Sequence, residues 1–304
     1  EQLTADKLWE QIYVDNMDRL RMTAHRCPTG LVQEFDSLDE LRDFDPHFLD
    51  NVDSSIIDNI ADHFDVPRNA ITGFEPLKQG LTNLSCKFRV GDAEYVYRHP
   101  GVGTDKMIDR NAERTALFLA RDLGLDDTFL YMPSDSGWKI SRFLDGVRNV
   151  DLSDDKALEQ VMQMSRRLHE SGAELEAHFD FVEESLKYEQ VLQETGSDDV
   201  PGYAELKAKI LQLKSYADAD GFPLVPSHND FFHMNMLVDD SGRLHLIDWE
   251  YAGMSDRAND FGTMVVCSQL SDEQAENAIE HYLQRPPTAE ERRHFLAYVV
   301  FAGW

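Results

Sequence analysis

The spacing of apolar residues predicts a chain whose first part alternates between helix and strand and whose second part is mostly helical. Around residues 55–64 apolar side chains recur every three or four positions, as they do along one side of a helix. Ser55 and Asp58 have the spacing of a capping box, which predicts where this helix begins, and Pro67 predicts its end. The apolar side of the helix consists of Ile56, Ile57, Ile60, Ala61 and Phe64.

Between residues 84 and 99 the period becomes two, which is typical of β-strands. Gly91 and Asp92 interrupt the alternation and predict the turn of a hairpin. On the second strand Val96 and Arg98 share a face, so a charged side chain accompanies an apolar one. The first strand places on one face Cys86, Phe88 and Val90.

The rest of the chain returns to helical spacing, with two interruptions. The segment DRNAERTALFLARDLGL predicts a helix, and GWKISRFLDG predicts a strand that runs into a connector. A second hairpin is predicted where MLVDD and RLHLI flank a turn at Ser241 and Gly242. Further helices are predicted over residues 153–172, 181–194, 203–217 and from about 258 to the end.

These elements predict an α+β fold in which a small sheet-and-helix region precedes a larger helical region. We expect an N-terminal extension over residues 1–52, a small lobe over residues 53–140 and a large lobe over residues 141–304. Ligand sites commonly lie in the cleft between two such parts, so the cleft is where we look for chemistry.

The charge of the chain restricts its partners. The formal net charge is −28, with 57 Asp and Glu against 29 Lys and Arg, which argues against binding to nucleic acid. An acidic surface attracts cations, so this charge fits either solubility alone or a cationic substrate. No apolar run is long enough to span a bilayer and no signal peptide is recognisable, so we expect no membrane insertion. The three widely spaced cysteines predict reduced thiols in a cytoplasmic protein.

Candidate chemistry is concentrated in PSHNDFFHMNMLVDDSGRLHLIDWEYAG, where carboxylates surround an apolar hairpin. The pattern His-x-Asp-x4-Asn in HNDFFHMN makes Asp230 a candidate base and Asn235 a candidate metal ligand, and the hairpin then returns the chain to Asp248. Phosphoryl transfer needs such groups, because a carboxylate orients the attacking hydroxyl and oxygen atoms bind magnesium. The His/Asp/Asn pattern alone is weak, and the strand that leads to a second Asp makes it more specific.

The first half of the chain offers partners for phosphate groups. The segment KQGLTNLSCKF is a loop rich in small and polar residues that enters a strand, which suits phosphate contact by backbone N–H groups. Arg98 needs a charge partner on its apolar face, and Glu113 on the next helix is the candidate. Taken separately, a plain hairpin loop and a surface salt bridge are the simpler interpretations.

With these residues the chain resembles the choline kinase and aminoglycoside phosphotransferase family, and bacterial choline kinases within it. The resemblance runs from about residue 55 to the end and rests on LKQGLTN, YVYRHPG, SRRLH, HNDFFHMN and IDWEYAG. It implies a protein-kinase-like bilobal fold, with a small antiparallel-sheet N-lobe and a larger helical C-lobe. It also implies transfer of phosphate from ATP, with magnesium, to an alcohol.

The resemblance implies a role for each matching residue. Asp230 would act as the base or orient the hydroxyl, while Asn235 and Asp248 would bind magnesium. Arg98 would hold the nucleotide phosphates, with Glu113 positioning it. His228 would brace the catalytic loop rather than act as a base. The residues implied to line the phosphate loop and to meet the adenine are Gly80, Thr82, Asn83, Ser141, Arg142 and Phe143.

The implied acceptor is choline, whose quaternary ammonium group needs aromatic faces and nearby carboxylates. In animal choline kinases a glutamate stands where Cys267 stands here, so ethanolamine, an aminoglycoside or thiamine remain alternative acceptors. A catalytically silent nucleotide-binding module with a regulatory role is the alternative from another class. The candidate substrate residues are Trp249, Glu250, Tyr251 and Trp304.

Residues 1–52 lie outside the resemblance. Their segment GLVQEFDSLDELRDFD is similar to the tail of cytidylyltransferases that act on phosphocholine, and a capping box of Ser37 and Glu40 predicts a short acidic helix ending near Pro46. The chain begins without Met, and we expect it to be the C-terminal kinase part of a fused enzyme. A native helical extension is the alternative, and the oligomeric state is not indicated.

Overall fold

The computed structural model describes residues 16, 19, 21, 38–45, 48, 54–77, 84–100, 108–133, 136–194 and 201–304. The helices in these ranges are α1 (Leu38–Phe44), α2 (Ser55–Phe64), α3 (Arg110–Asp122), α4 (Asp155–His169), α5 (Phe181–Glu194), α6 (Tyr203–Ala219), α7 (Ala258–Cys267), α8 (Asp272–Leu283) and α9 (Ala289–Gly303). The strands are β1 (Ile71–Leu77), β2 (Leu84–Val90), β3 (Ala93–His99), β4 (Phe129–Tyr131), β5 (Lys139–Arg142), β6 (Arg148–Asn149), β7 (Leu224–Ser227), β8 (Met236–Val238), β9 (Leu244–Leu246) and β10 (Gly253–Asp256).

The small lobe is built on an antiparallel sheet with strand order β1-β2-β3-β5-β4. The predicted hairpin is confirmed, since β2 and β3 pair from Leu84 with His99 to Val90 with Ala93, around the turn at Gly91. Helix α2 covers one face of the sheet, because its apolar side packs against the apolar face of the strands. The buried residues of this contact are Ile57, Ile60, Ile71, Phe88, Tyr97 and Ile140.

Strand β1 was not predicted from the sequence. Gly73 has a φ of 64° and the register of β1 with β2 shifts between Thr72 and Glu75, so a bulge breaks the alternation of side chains. Pro76 is tolerated because β1 is the edge strand of the sheet. A bulge and a proline together remove the signal by which a strand is recognised in a sequence.

The start of α2 was predicted one residue too late. Ser54, not Ser55, is the N-cap residue, and its side chain makes no capping hydrogen bond. The end agrees with the prediction, because the chain leaves the helix at Asp65 in a left-handed conformation (φ of 53°), two residues before Pro67.

The large lobe is a helical layer around two small antiparallel sheets, β10-β7 and β6-β8-β9. The predicted hairpin of β8 and β9 is confirmed, with Gly242 in its turn. Helix α7 lies at the centre and packs closely on α9, where a Cβ on Gly262 would lie 2.5 Å from the carbonyl oxygen of Tyr298. Within the described residues no helix has the length and apolarity needed to cross a membrane.

Two of the predicted domain boundaries do not coincide with breaks in packing. Helix α1 belongs to the expected extension but packs on β1: the buried Arg42 donates to the carbonyl oxygens of Ile71 and Arg68, and Asp39 accepts from the N–H of Gly73. The expected boundary at residue 140 falls inside β5. The capping residue Ser37 and most of the extension lie outside the described residues, so the fusion remains a prediction.

The loop between α3 and β4 joins the two lobes. The N–H of Leu246 in β9 donates to the carbonyl oxygen of Leu125 over 2.9 Å. One β9 side chain, His245, lies between two carboxylates, 3.1 Å from Asp127 and 3.2 Å from Asp239. The hydrophobic core is continuous across this contact, because Leu125 belongs to the same cluster as Leu246. The loop and the β8–β9 hairpin therefore hold the lobes together along one edge of the cleft.

Candidate active site

The loop after β7 carries the predicted base, and it is held by a buried carboxylate. Asp260, in the first turn of α7, accepts the backbone N–H of His228 over 3.2 Å and that of Asn229 over 2.7 Å. Its other partner is the ring of His169, 3.0 Å away. Burial alone would raise the pKa of Asp260, but His169 and the loop N–H groups lower it, so the residue stays a charged acceptor. Asn229 has a φ of 66°, a conformation that these bonds support.

Sequence reasoning did not identify Asp260 and His169. The segment SRRLH, which ends at His169, contributed to the family resemblance without a role for its histidine. The two residues are 91 positions apart, so no local spacing connects them. The helical phase of α4 was the available signal, because it turns His169 toward the buried side together with Leu168.

His228 links the loop to the chain segment before Asp248. Its Nε2 lies 3.0 Å from the carbonyl oxygen of Ile247, and its ring meets the Trp249 ring edge-to-face with centroids 4.8 Å apart. The side chain is fully buried. These contacts fit the expected bracing role, which stays a prediction.

Asp230 and Asn235, which the sequence spacing predicted to face one site, lie in direct contact. The side-chain Nδ2 of Asn235 donates to Oδ2 of Asp230 over 2.8 Å and to its backbone oxygen over 3.0 Å. Since the amide nitrogen makes both bonds, the amide oxygen Oδ1 is the atom left for a cation. Burial raises the pKa of Asp230, and the nearby Asp248 carboxylate adds to this effect. A carboxylate with a raised pKa is a better proton acceptor.

Asp248 follows β9 in a strained conformation, with a φ of 69°. Its side chain is 36% exposed, so it can reach a ligand in the cleft. Among the described residues no set of three His, Cys, Asp or Glu side chains is arranged to hold a metal ion. An aspartate and an asparagine nevertheless fit magnesium, because this ion takes hard oxygen ligands and commonly completes its shell with water and substrate phosphates.

Arg98 and Glu113 form the expected pair, and the structure adds two further cations. Arg98 donates to Oε1 of Glu113, and Arg110 donates to Oε2 over 2.9 Å. The Nζ of Lys139 lies 3.3 Å from Oε1. Arg98 also crosses the cleft, with Nη1 3.3 Å from Asp248 and 3.2 Å from Glu250.

This ionic cluster of Arg98, Arg110, Lys139, Glu113, Asp248 and Glu250 keeps its central carboxylate ionised. Burial would raise the pKa of Glu113, but Lys139, Arg98 and Arg110 together lower it. Lys139 and Arg110 were missed in the sequence. The signal for Lys139 was a single lysine between Trp138 and Ile140, at the start of a predicted strand.

Trp249 was predicted to line the substrate site, and the structure contradicts this. Its ring is fully buried in the large lobe and its Nε1 donates to the carbonyl oxygen of Leu246 over 2.7 Å. A cation in the cleft has no access to this ring, so Trp249 supports the loop instead. Glu250 is also mostly buried and belongs to the ionic cluster.

The other two predicted substrate residues keep partial exposure. Burial and the Glu250 carboxylate raise the pKa of Tyr251 to about 12, so its hydroxyl is neutral, and its ring meets Phe179 edge-to-face at 6.3 Å. Trp304 ends α9 and stacks on Tyr203 with centroids 6.2 Å apart. Tyr251 and Trp304 therefore have different aromatic partners.

Cys267 lies exposed at the end of α7, near the predicted base. Burial raises the pKa of its thiol, and the charge of Asp230 raises it further. The thiol of Cys267 is therefore neutral, and it lies close enough to Asp230 to feel its charge.

The nucleotide side is described in part. Gly80, Thr82 and Asn83 lie outside the described residues. Ser141 pairs with Val96 inside the sheet. Phe143 begins the connector, where its N–H donates to the carbonyl oxygen of Glu94 over 3.0 Å. The side chain of Arg142 is exposed.

Comparisons with known proteins identify the family to which the chain belongs. A sequence profile of the phosphotransferase enzyme family matches residues 73–296. Protein LicA of Haemophilus influenzae is 28% identical over 208 residues, which are 67% of this chain and 60% of that protein. The match therefore spans less than two thirds of this relative's length.

Solved structures show the same fold. Choline kinase LicA from Streptococcus pneumoniae superposes with a TM-score of 0.68 at 24% identity, covering 81% of this chain and 85% of that one. A choline/ethanolamine kinase family protein from Mesorhizobium loti superposes with a TM-score of 0.63 at 27% identity, covering 75% of each chain. The expected protein-kinase-like bilobal fold is thereby confirmed. Because the family profile covers most of the chain and includes the loop of Asp230, the ionic cluster and Asp248, the chain belongs to the phosphotransferase enzyme family.

Proposed function

We propose that the chain is an ATP- and magnesium-dependent kinase that phosphorylates the hydroxyl group of choline, giving phosphocholine and ADP. The observation that carries the proposal is the convergence of Asp230, Asn235 and Asp248 with Arg98 at one cleft. A proton acceptor, oxygen ligands and a cation for phosphate are the parts that phosphoryl transfer requires.

Asp230 is the group that orients the acceptor hydroxyl and takes its proton. Asn235 holds the carboxylate through Oδ2, which leaves Oδ1 of Asp230 for the hydroxyl. The raised pKa of Asp230 favours the transfer, because a stronger base takes the proton more readily. Fixing the hydroxyl in line with the phosphate removes much of the entropic cost of the encounter.

Arg98 is the group that contacts the nucleotide phosphates. It lies on β3 at the back of the cleft, with Glu113 holding one end of the guanidinium. Asn235 Oδ1 and Asp248 would hold magnesium, which when bound neutralises negative charge on the phosphates during transfer. Glu250 keeps Arg98 near Asp248, so the cation and the metal ligands stay at the same phosphate group.

Choline is favoured as the acceptor by the names of the similar proteins, which include choline kinases. The net charge of −28 and the exposed part of Tyr251 are compatible with a small organic cation. Ethanolamine is the second candidate, because a choline/ethanolamine kinase family protein is among the similar structures. We place this activity in the cytoplasm, where ATP is available.

The test is ADP release with MgATP and a panel of choline, ethanolamine, thiamine and kanamycin. The variant Asp230→Ala should lose turnover. The control Asp240→Ala, in the exposed turn of the β8–β9 hairpin, should keep it. Turnover on choline that is absent only in Asp230→Ala would support the proposal. Turnover on another member of the panel alone would replace the acceptor. Binding of ATP without turnover on any of them would favour a catalytically silent module.

A further inference from the structure

Lys139 is a second buried cation beside Arg98, and the phosphoryl-transfer roles given above do not use it. The two residues are paired directly across β5 and β3, so their side chains leave the sheet on the same face. Like charges directly opposite each other destabilise an antiparallel pair. The two cations are stable side by side because Glu113 lies between them and its Oε1 accepts from both.

The three charged side chains are buried, so their ionised forms depend on one another. Glu113 is 1% exposed, Arg98 5% and Lys139 9%, so water screens none of these charges well. A buried carboxylate that loses its cations is strongly unfavourable. Arg110 holds Oε2 of Glu113, so it is Oε1 that needs a cation that does not leave it when a ligand enters the cleft.

Arg98 already contacts three carboxylates before a nucleotide binds. It contacts Glu113 in the small lobe and Asp248 and Glu250 in the large lobe. Both contacts to the large lobe come from Nη1, so a guanidinium that turns Nη1 toward phosphate oxygens weakens them. Lys139 Nζ is 3.3 Å from Glu113 and 4.0 Å from Asp248, so it is placed to take over both carboxylates.

We propose that Lys139 is a positioning residue for the nucleotide: its ammonium group holds Glu113 in place and neutralised, so that Arg98 is released to contact the phosphates. The inference rests on the proposed function, because it takes Arg98 as the phosphate ligand. Lys139 acts through Glu113 and Arg98 and needs no contact of its own with the nucleotide.

The experiment measures equilibrium binding of MgATP by calorimetry and steady-state kinetics for the wild type, Lys139→Met and Lys139→Arg. Lys139→Met should weaken MgATP binding and raise KM for ATP about tenfold, since truncating one partner of a buried charge pair typically costs at least this much. The KM for the acceptor should not change. Lys139→Arg keeps the charge and should restore most of the affinity. Lys156→Met, an exposed lysine at the start of α4, is the control and should bind as the wild type does.

A double-variant cycle separates positioning from direct contact. In an Arg98→Met background, Lys139→Met should weaken MgATP binding by less than about twofold, because Lys139 acts through the residue already removed. A full additional loss would overturn the proposal, since Lys139 would then contribute independently of Arg98. If Lys139→Met fails to fold, Lys139→Gln removes the charge but keeps an N–H donor for Glu113, and it is measured in the same way.

Further results would also test the role of Lys139. A lower melting temperature with unchanged MgATP affinity would assign Lys139 a structural role only and overturn the inference. An arginine variant as weak as the methionine variant would overturn the argument from charge. Failure of the wild type to bind MgATP would reject the proposed function itself, whereas normal binding by both the wild type and Lys139→Met would reject this inference alone.

Discussion

The amide nitrogen of Asn235 lies 2.8 Å from Oδ2 of Asp230, and it is also bonded to the backbone oxygen of the same residue. One side chain thus fixes the rotamer of the proposed base and turns its own oxygen toward the proposed metal. The position of the proposed base and the binding of the proposed metal therefore both depend on a single amide group.

Replacement of Asn235 by Ala should therefore damage both functions at once. We expect kcat to fall by about 10²-fold or more, in line with the loss of a positioned acid–base group. The magnesium concentration that gives half-maximal rate should also rise. Both are measured by ADP release over a magnesium titration. Asn277→Ala, on the outer side of α8, is the control, and a variant with reduced kcat but unchanged magnesium dependence would show that Asn235 is not a metal ligand.

Cys267 offers a test of the acceptor side. A glutamate at this position would add a carboxylate near Asp230, and an added negative charge attracts a cation. We expect Cys267→Glu to lower the KM for choline several-fold, by about 1 kcal/mol of added attraction, and Cys267→Ser to leave it unchanged. Steady-state kinetics with varied choline measure both. An unchanged KM in Cys267→Glu would mean that the acceptor cation binds away from the end of α7.

The ionised carboxylate of Glu291 should stabilise α9, so the stability of α9 should fall when acid protonates it. The hydrogen bond from Arg285 lowers its pKa from an ordinary value of 4.5 to about 2, with burial opposing and Thr288 assisting. Its contribution is thus fully present above pH 4.5 and is lost as the pH falls toward 2. Glu291→Gln should destabilise the chain by about 1–2 kcal/mol at pH 7.

The difference in stability between the wild type and Glu291→Gln should shrink steadily below pH 4.5. Urea unfolding at a series of pH values measures it. Glu290→Gln, an exposed neighbour in the same helical turn, is the control. A difference that stays constant down to pH 2 would mean that the ionised carboxylate is not what stabilises the start of α9.

Arg42 should matter for the small lobe although it lies outside the region matched by the family profile. Arg42→Ala would remove the donors that satisfy the carbonyl oxygens of Ile71 and Arg68, at a cost of about 1–3 kcal/mol. Hydrogen exchange at β1, and at the N–H of Gly73 in particular, should become faster. Arg121→Ala, an exposed arginine at the end of α3, serves as the control. Unchanged exchange at β1 would mean that α1 is not part of the small lobe.

The elements with a strong period were predictable from the sequence, and those with an interrupted pattern were not. The buried side of α4 and the hairpin of β2 and β3 follow their periods without a break. Strand β1 was missed because the bulge at Gly73 and the edge proline Pro76 remove the alternation. Local spacing also brought Asp230 and Asn235 together, since they are only five residues apart.

The missed parts of the site are contacts between residues that are distant in the sequence. Arg98 and Asp248 are 150 positions apart, and His169 and Asp260 are 91 apart, so no window of sequence contains either pair. Trp249 was assigned wrongly for a related reason. An aromatic residue between two carboxylates has the same local pattern whether its ring faces a cation or the interior, and only the fold decides which.

The contact between Leu125 and Leu246 restricts how the enzyme can open. Separation of the lobes at this point would break a backbone hydrogen bond and divide a continuous apolar core, whereas rotation about it would do neither. The natural movement is therefore a pivot, with the α3–β4 loop as its axis. Such a movement would break the ion pairs from Arg98 to Asp248 and Glu250, which join the two lobes across the cleft.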